Sequence, residues 1–402
     1  MLTRRKSLGL IGAAAVLPAF RAAAAEKMVR IGAAVSLTGQ LSHEGNRLKK
    51  GYVYWEKVVS DAGGIEVGGH KLPVRVFYYD DESNAQTSAR LTERCITEDK
   101  VGAMFGPYSS GIATATAAIS EKYRIPTIAA MATADSLYHR GYRYIFCPTA
   151  PASKTMDPLF DLLKSVPAPP RTVAIAGPDS LFPNVYAAAA AKKARADGFD
   201  VIYNQKYPTG AVDLSSVATA LKERNPDVVI LTGYVQDSVL MVKTMQSLHV
   251  NPKLICFAFA VGIPDVLSAL GQASEDLVGT ELWEPSLAYK GPVVPDGASY
   301  VKGFGEMFGS EPDYVSAGGT ASGIVLQQGI RNAGSTDPVK VRDAIASLDF
   351  ETFYGKVKFN AEGIDVAASA VAAQVQNGKA IPVFPKDVAR AAFQYPRKPF
   401  PG

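Results

Sequence analysis

Histidine and cysteine are scarce in this chain, four and three in 402 residues, and neither falls at a spacing that chemistry can use. His43, His70, His139 and His249 form no H-E-x-x-H pair, so a zinc hydrolase finds no ligand set. Cys95, Cys147 and Cys256 lie far apart without a C-x-x-C, which excludes a metal knuckle or a disulfide framework and leaves room for one internal bond at most. There is no G-x-x-x-x-G-K-[ST] loop. The near miss to a dinucleotide fingerprint, "GFGEMFG" at 303–309, sets Glu306 where a pyrophosphate would be repelled. Ser109 and Ser110 are not a G-x-S-x-G elbow, which removes the serine hydrolases. The chain reads as a non-enzyme that needs no metal and no cofactor.

An excess of charge is missing too, once the N-terminal segment is set aside. Residues 1–25 hold four of the 42 basic residues and none of the 38 acidic ones, so the remainder balances. No later Lys/Arg cluster alternates with aromatics, and no nucleic-acid partner is expected. The segment itself has the order of an export signal: Arg4-Arg5-Lys6, an uncharged run from Ser7 to Phe20, then Ala22 to Ala25 as a cleavage site before Glu26. Arg4-Arg5 after Thr3 fits the twin-arginine route only loosely, so the Sec route stays open. A membrane anchor would need roughly 18 apolar residues, more than this run supplies.

What is present is a large and regular α/β pattern. The chain is 47% hydrophobic, and residues 26–402 exceed what one core usually spans, so two domains are expected. Short apolar, β-branched runs alternate with helical stretches, as in parallel sheets covered on both faces. Strands are predicted at 29–37, 74–80, 101–106, 125–131, 172–177, 200–205, 227–233 and 253–259. Between the first two, Leu48, Tyr52, Trp55 and Val58 or Val59 recur at helical spacing before Gly63-Gly64, and the aromatic stripe is assigned to core packing. The "FCPTAPAS" stretch at 146–153 separates four strands from four. Helices such as 321–334 follow a Pro/Gly-rich loop, and strands at 355–359 and 372–378 close the chain, with Asn377-Gly378 as a hairpin turn.

The stretch "VGAMFGPYSSGIATATAAIS" at 101–120 carries no charged side chain in twenty residues. If 101–106 is a strand and 112–123 a helix, Pro107 to Gly111 is the loop at the carboxyl end of a parallel strand, where open α/β sheets hold ligands. Ser109 or Ser110 could simply cap the helix. The first acid, however, is Glu121, so no capping-box carboxylate occupies the helix start. Its N–H groups and dipole suit a small carboxylate from outside.

Taken together, "IGAAVSLTGQLSHEGNRLKKGYVYWEKVVSDAGGI", "GGHKLPVRVFYYDDESN", the Gly-Pro-Tyr-Ser-Ser loop, "IPTIAAMATADSL" and "HRGYRYIF" resemble the leucine/isoleucine/valine-binding family of type I periplasmic binding proteins. The resemblance implies the α/β type I periplasmic-binding-protein fold: two doubly wound parallel-sheet lobes with three crossovers and a ligand cleft between them. It implies a periplasmic monomer that delivers a small molecule to an inner-membrane ABC permease and its ATPases. On that frame residues 1–25 are the signal peptide, 26–148 with 285–353 the first lobe, and 149–284 with 354–402 the second. A sensory subunit presenting the same fold to a membrane kinase is the second reading.

Carried over residue by residue, the family's carboxylate site falls on Tyr108, Ser109 or Ser110, Met131 and Thr133. Its second-lobe contacts fall on Phe182 and Tyr234. One departure stands out. Where leucine-type binders place an acid for the ligand's ammonium, just after "LICFAF", this chain has Ala258 between Phe257 and Phe259; the half-loop disulfide of such members is replaced by Ser83 and Ser109. Either Glu44, Asp179 or another acid takes the ammonium, or the ligand lacks an amine, because a buried ammonium without a counter-charge is costly. The ligand is thus an amino acid of the branched-chain or hydrophobic class or a related small carboxylate, or else an amine-free aromatic or branched carboxylate or amide.

Overall fold

The structure is a computed structural model that describes residues 28–401; the export-signal segment lies outside the described residues. The chain opens with strand β1 (Val29–Val35) and helix α1 (Ser42–Asp61), then a small hairpin of β2 (Ile65–Val67) and β3 (His70–Leu72). β4 (Val74–Asp80), α2 (Ala85–Thr97), β5 (Ala103–Phe105), α3 (Ser110–Tyr123), β6 (Thr127–Ile128), α4 (Asp135–Tyr138) and β7 (Ile145–Phe146) follow. The strands outside that hairpin form a five-stranded parallel sheet in the order β4-β1-β5-β6-β7.

A second βα series then begins: α5 (Asp157–Ser165), β8 (Thr172–Pro178), α6 (Leu181–Ala196), β9 (Asp200–Tyr207), α7 (Ser215–Arg224), β10 (Val228–Leu231), α8 (Val235–Ser247), β11 (Leu254–Phe257), α9 (Pro264–Leu270) and β12 (Val278–Glu281). The chain goes back to pack α10 (Gly297–Phe308), α11 (Tyr314–Ala333) and α12 (Pro338–Ala346) beside the first sheet, with α11 lying along α1. After the hairpin β13 (Asp349–Thr352) and β14 (Gly355–Lys358), it returns to add β15 (Val371–Gln376) and β16 (Lys379–Phe384) to the second sheet. That sheet runs β16-β15-β12-β11-β10-β8-β9, parallel except for its last two additions. The fold class expected from the sequence is the one observed, with three passages of chain between the sheets.

The β-branched runs form strands because both faces of each sheet are covered, so nearly every position is buried. Trp55 and Tyr52 are fully buried, as the helical spacing predicts: Tyr52 stacks on Phe105 at 4.4 Å, and its hydroxyl donates to the Gly106 carbonyl at 2.8 Å. Glycine lets the paired helices approach: a Cβ on Gly51 of α1 would lie 2.0 Å from the Ser316 carbonyl oxygen of α11. Thr320 Oγ1 uses that proximity to donate to the Gly51 carbonyl at 2.9 Å.

Several predicted strands are too long at their carboxyl ends, notably 125–131, which shortens to β6, and 253–259, which shortens to β11. Those residues leave the sheets to build loops at the cleft. The 303–309 stretch lies in α10 and ends at Gly309, whose φ of +63° closes the helix. The Asn377-Gly378 turn joins β15 to β16 with φ of +55° and +73°, the backbone of a two-residue hairpin turn. All three cysteines are buried free thiols, and burial pushes Cys95 up to about 12 and Cys147 up to about 11. Among the described residues no helix is long and apolar enough to cross a membrane, and no group of His, Cys, Asp or Glu is arranged to hold a metal.

Candidate functional site

A single pocket collects residues from the carboxyl ends of both sheets. The loop after β5 supplies Tyr108, Ser109 and Ser110, and the loop after β6 supplies Met131 and Thr133. Facing them are Phe182 after β8, Tyr234 after β10, Phe259 after β11 and Leu282 after β12, while Tyr314 enters from the start of α11. Strand ends in open α/β sheets converge in this way because the βα loops all rise on one side.

The polar end rests on three hydroxyls with different duties. Ser109 is the N-cap of α3: its Oγ accepts the Ile112 N–H at 3.2 Å, so the capping reading holds for this serine. Ser110 Oγ accepts the Ala134 N–H at 3.1 Å and ties the two loops of the first sheet together. Thr133 Oγ1 is buried and has no hydrogen-bond partner among the described residues. A buried hydroxyl left without a partner is uncommon, because it forfeits the hydrogen bond it made to water.

The apolar end is a box of rings. Phe182 stacks on Phe259 with centroids 5.4 Å apart, Phe259 meets Tyr314 at 5.6 Å, and Tyr108 meets Tyr234 edge-on at 5.9 Å. The Tyr108 and Tyr314 hydroxyls lie 3.2 Å apart. Burial drives both phenols well above their ordinary range, so they stay neutral hydrogen-bonding groups. The space enclosed is about 10 Å³, near the room of one water molecule.

Of the other residues singled out from the sequence, Phe257 and Ala258 do not line this pocket. Phe257 is the last residue of β11 and is fully buried in the main hydrophobic core. Had the strand run to 259, Phe257 and Phe259 would share a face. Instead the chain leaves the sheet, Ala260 takes a φ of +81°, and Phe259 turns into the pocket. Ala258 is buried, and its carbonyl accepts Tyr186 Oη at 3.0 Å and Thr280 Oγ1 at 2.6 Å.

Neither proposed ammonium partner is in the pocket lining, and the two differ in burial. Asp179 is an exposed carboxylate bound by Asn184 at 2.8 Å and Lys206 at 3.1 Å, contacts that hold its pKa low, and it is outside the pocket. Glu44 is buried. One of its oxygens accepts the Val235 N–H at 3.2 Å and the other has no partner among the described residues. Loss of solvent pushes this carboxyl up, and its charge is felt by Tyr108, Tyr234 and Tyr314.

Sequence reasoning missed Leu282 and Tyr314 in the pocket and, outside its lining, a second buried acid, Glu281. Glu281 ends β12, accepts the Gly262 N–H at 3.1 Å, and is pushed up to about 8 by burial. Tyr314 had a local signal: Asp313 and Ser316 form a capping box that fixes the start of α11, and thereby the ring that follows the cap.

Two parallel-sheet units with a small, aromatic-walled pocket at their facing strand ends make a site suited to holding a small ligand. The chain belongs to the periplasmic binding protein family, whose profile matches residues 28–380. It is 28% identical over 411 aligned positions to the Leu/Ile/Val-binding protein homolog 8 of Brucella suis biovar 1 (strain 1330), covering 96% of this chain and 97% of that one. Homolog 7 of the same strain is 25% identical, covering 98% and 100%. The fold is that of the branched-chain amino acid transporter substrate-binding protein LivJ from Streptococcus pneumoniae, solved with isoleucine: TM-score 0.77, 20% identity, 88% of this chain and 98% of that one. A solute-binding protein of an ABC transporter from R. palustris, solved with benzoate, matches with a TM-score of 0.77 and 18% identity over 89% and 96% of the two chains. Members of this family bind small-molecule ligands.

Proposed function

We propose that this protein is the periplasmic substrate-binding component of an ABC importer, that it takes an amino acid of the branched-chain or hydrophobic class in the cleft, and that it passes it to an inner-membrane permease. The observation that carries the ligand reading is the pairing of an unpartnered hydroxyl, Thr133 Oγ1, with an unpartnered buried carboxylate oxygen, Glu44 Oε2. The first, with Ser110 and the α3 terminus, suits an α-carboxylate. The second suits an α-ammonium and stands in for the acid missing at Ala258. The ring box offers apolar walls to a side chain, and with about 10 Å³ of free space it has to widen to admit one. On this reading the lobes are residues 26–148 with 285–353 and residues 149–284 with 354–402, and the ligand draws them together.

A second ligand class, amine-free carboxylates, is favoured by one feature, the desolvation of Glu44, which lets it sit as a neutral acid that asks for no cation. A thermal-shift panel separates the two, since a ligand that binds only the folded state raises the melting temperature by mass action. Leucine, isoleucine and valine are expected to raise it, and benzoate and 4-methylpentanoate to leave it unchanged. A response to the acids alone would replace the amino-acid reading with the second.

A further inference from the structure

Most of the free space in the cleft lies beside the ring box rather than inside it. Ser109 and Tyr234 line the enclosed pocket of about 10 Å³ and also a chamber of about 630 Å³ at the cleft mouth. We propose, building on the head-group reading above, that this chamber is a second subsite. The ligand then carries an extended uncharged arm that leaves the ring box between Ser109 and Tyr234.

The chemistry of the wall sets the class of arm. Leu41, Ile112, Leu181, Val212 and Leu240 supply apolar surface, and Gln40 and Gln236 supply uncharged polar groups. Asp237 is the only charged residue in that lining, and its Oδ2 is already held by the Tyr234 N–H at 3.2 Å. A charged arm would lose its hydration against this surface without replacement, whereas a hydrocarbon or amide-bearing chain would not.

The roof supplies the independent observation. Val212 is 89% exposed, the most exposed large hydrophobic among the described residues. It sits on the loop between β9 and α7, where Gly210 has a φ of +77° and lies so close to Gln40 that a Cβ would be 2.3 Å from its Nε2. That contact brings a second-sheet loop against the segment leading into α1, with an apolar side chain beside the chamber. An arm beneath the loop would remove Val212 from water.

The test is calorimetric titration of the full chain with straight-chain 2-amino acids of six, eight and ten carbons, the amine-free acids of the same lengths, and valine. Whichever head group binds, Kd is expected to fall about threefold to fourfold per added methylene. In Val212→Asp, which changes an exposed side chain, and in Leu240→Gln, that dependence should drop below about twofold per methylene while valine affinity stays unchanged. Affinity that is flat or falls with length in a wild-type protein that binds valine would overturn the arm and leave the head-group reading standing. Equal loss for valine and for the ten-carbon ligand in both variants would also overturn it. If no ligand of either series binds at any length, the head-group reading fails and this inference fails with it.

Discussion

Glu44 Oε1 accepts the N–H of Val235 at 3.2 Å, so an acid from the first turn of α1 meets the first turn of α8 across 191 positions of sequence. A carboxylate at a helix N-terminus is favoured by the unpaired N–H groups there and by the helix dipole. On the proposed reading it supplies the charge that Ala258 does not provide. Glu44→Gln keeps an acceptor for Val235 and removes the charge. Amino-acid affinity is expected to fall at least tenfold, with amine-free acids unaffected and the unliganded melting temperature unchanged or higher. Equilibrium titration of both ligand types on the variant checks this.

Thr133 and Ser110 should part company under mutation. Thr133→Val removes a hydroxyl that has no protein partner, so unliganded stability should hold or rise. Affinity should fall by about 1.5–3 kcal/mol, the worth of one hydrogen bond to a charged group. Ser110→Ala also strands the Ala134 N–H, so it should lower unliganded stability by about 1–3 kcal/mol as well. Paired denaturation and binding curves distinguish the two.

Glu281 gives the stability a pH dependence of definite sign. Its carboxyl moves from 4.5 to about 8 on folding because burial disfavours the charged form. Between those values the folded protein keeps a proton that the unfolded chain has released. Its contribution is therefore present below about pH 4.5, declines as pH rises, and is gone above about pH 8, an effect on the order of 5 kcal/mol. Glu281→Gln should flatten this part of the profile, so urea denaturation at pH 5 and pH 8.5 should show a smaller difference in the variant than in the wild type.

A polar clasp crosses the cleft. Arg47 donates to Asp265 at 2.7 Å on α9 and to the buried Asp313 at 2.6 Å, and His43 Nε2 lies 2.7 Å from the same Asp265 oxygen. Asp265 is more than half exposed, so solvent screens the pair and its worth is about 1 kcal/mol or less. Asp265→Asn should weaken ligand binding by up to about fivefold. The loss should shrink at high salt, and solution scattering should report a larger unliganded radius.

The sequence by itself determined what is local. Apolar runs of strand length with helical stretches between them specify two parallel sheets, and loops at the ends of parallel strands carry Tyr108, Ser110, Thr133, Phe182 and Tyr234 into one pocket wherever the sheets face each other. The Trp55 stripe was legible for the same reason, since a helix with one apolar face must bury it. Only the tertiary structure decided the rest. Tyr314 enters from a helix brought in by a later passage of the chain, and Leu282 from the loop after β12, placements that no local pattern reveals. Phe259 rather than Phe257 lines the pocket because β11 ends two residues earlier than its apolar run. Glu44 and Glu281 have the composition of surface acids, and neither spacing nor periodicity marks them as buried. Their burial follows from tertiary packing, and with it the upward shift of both carboxyls.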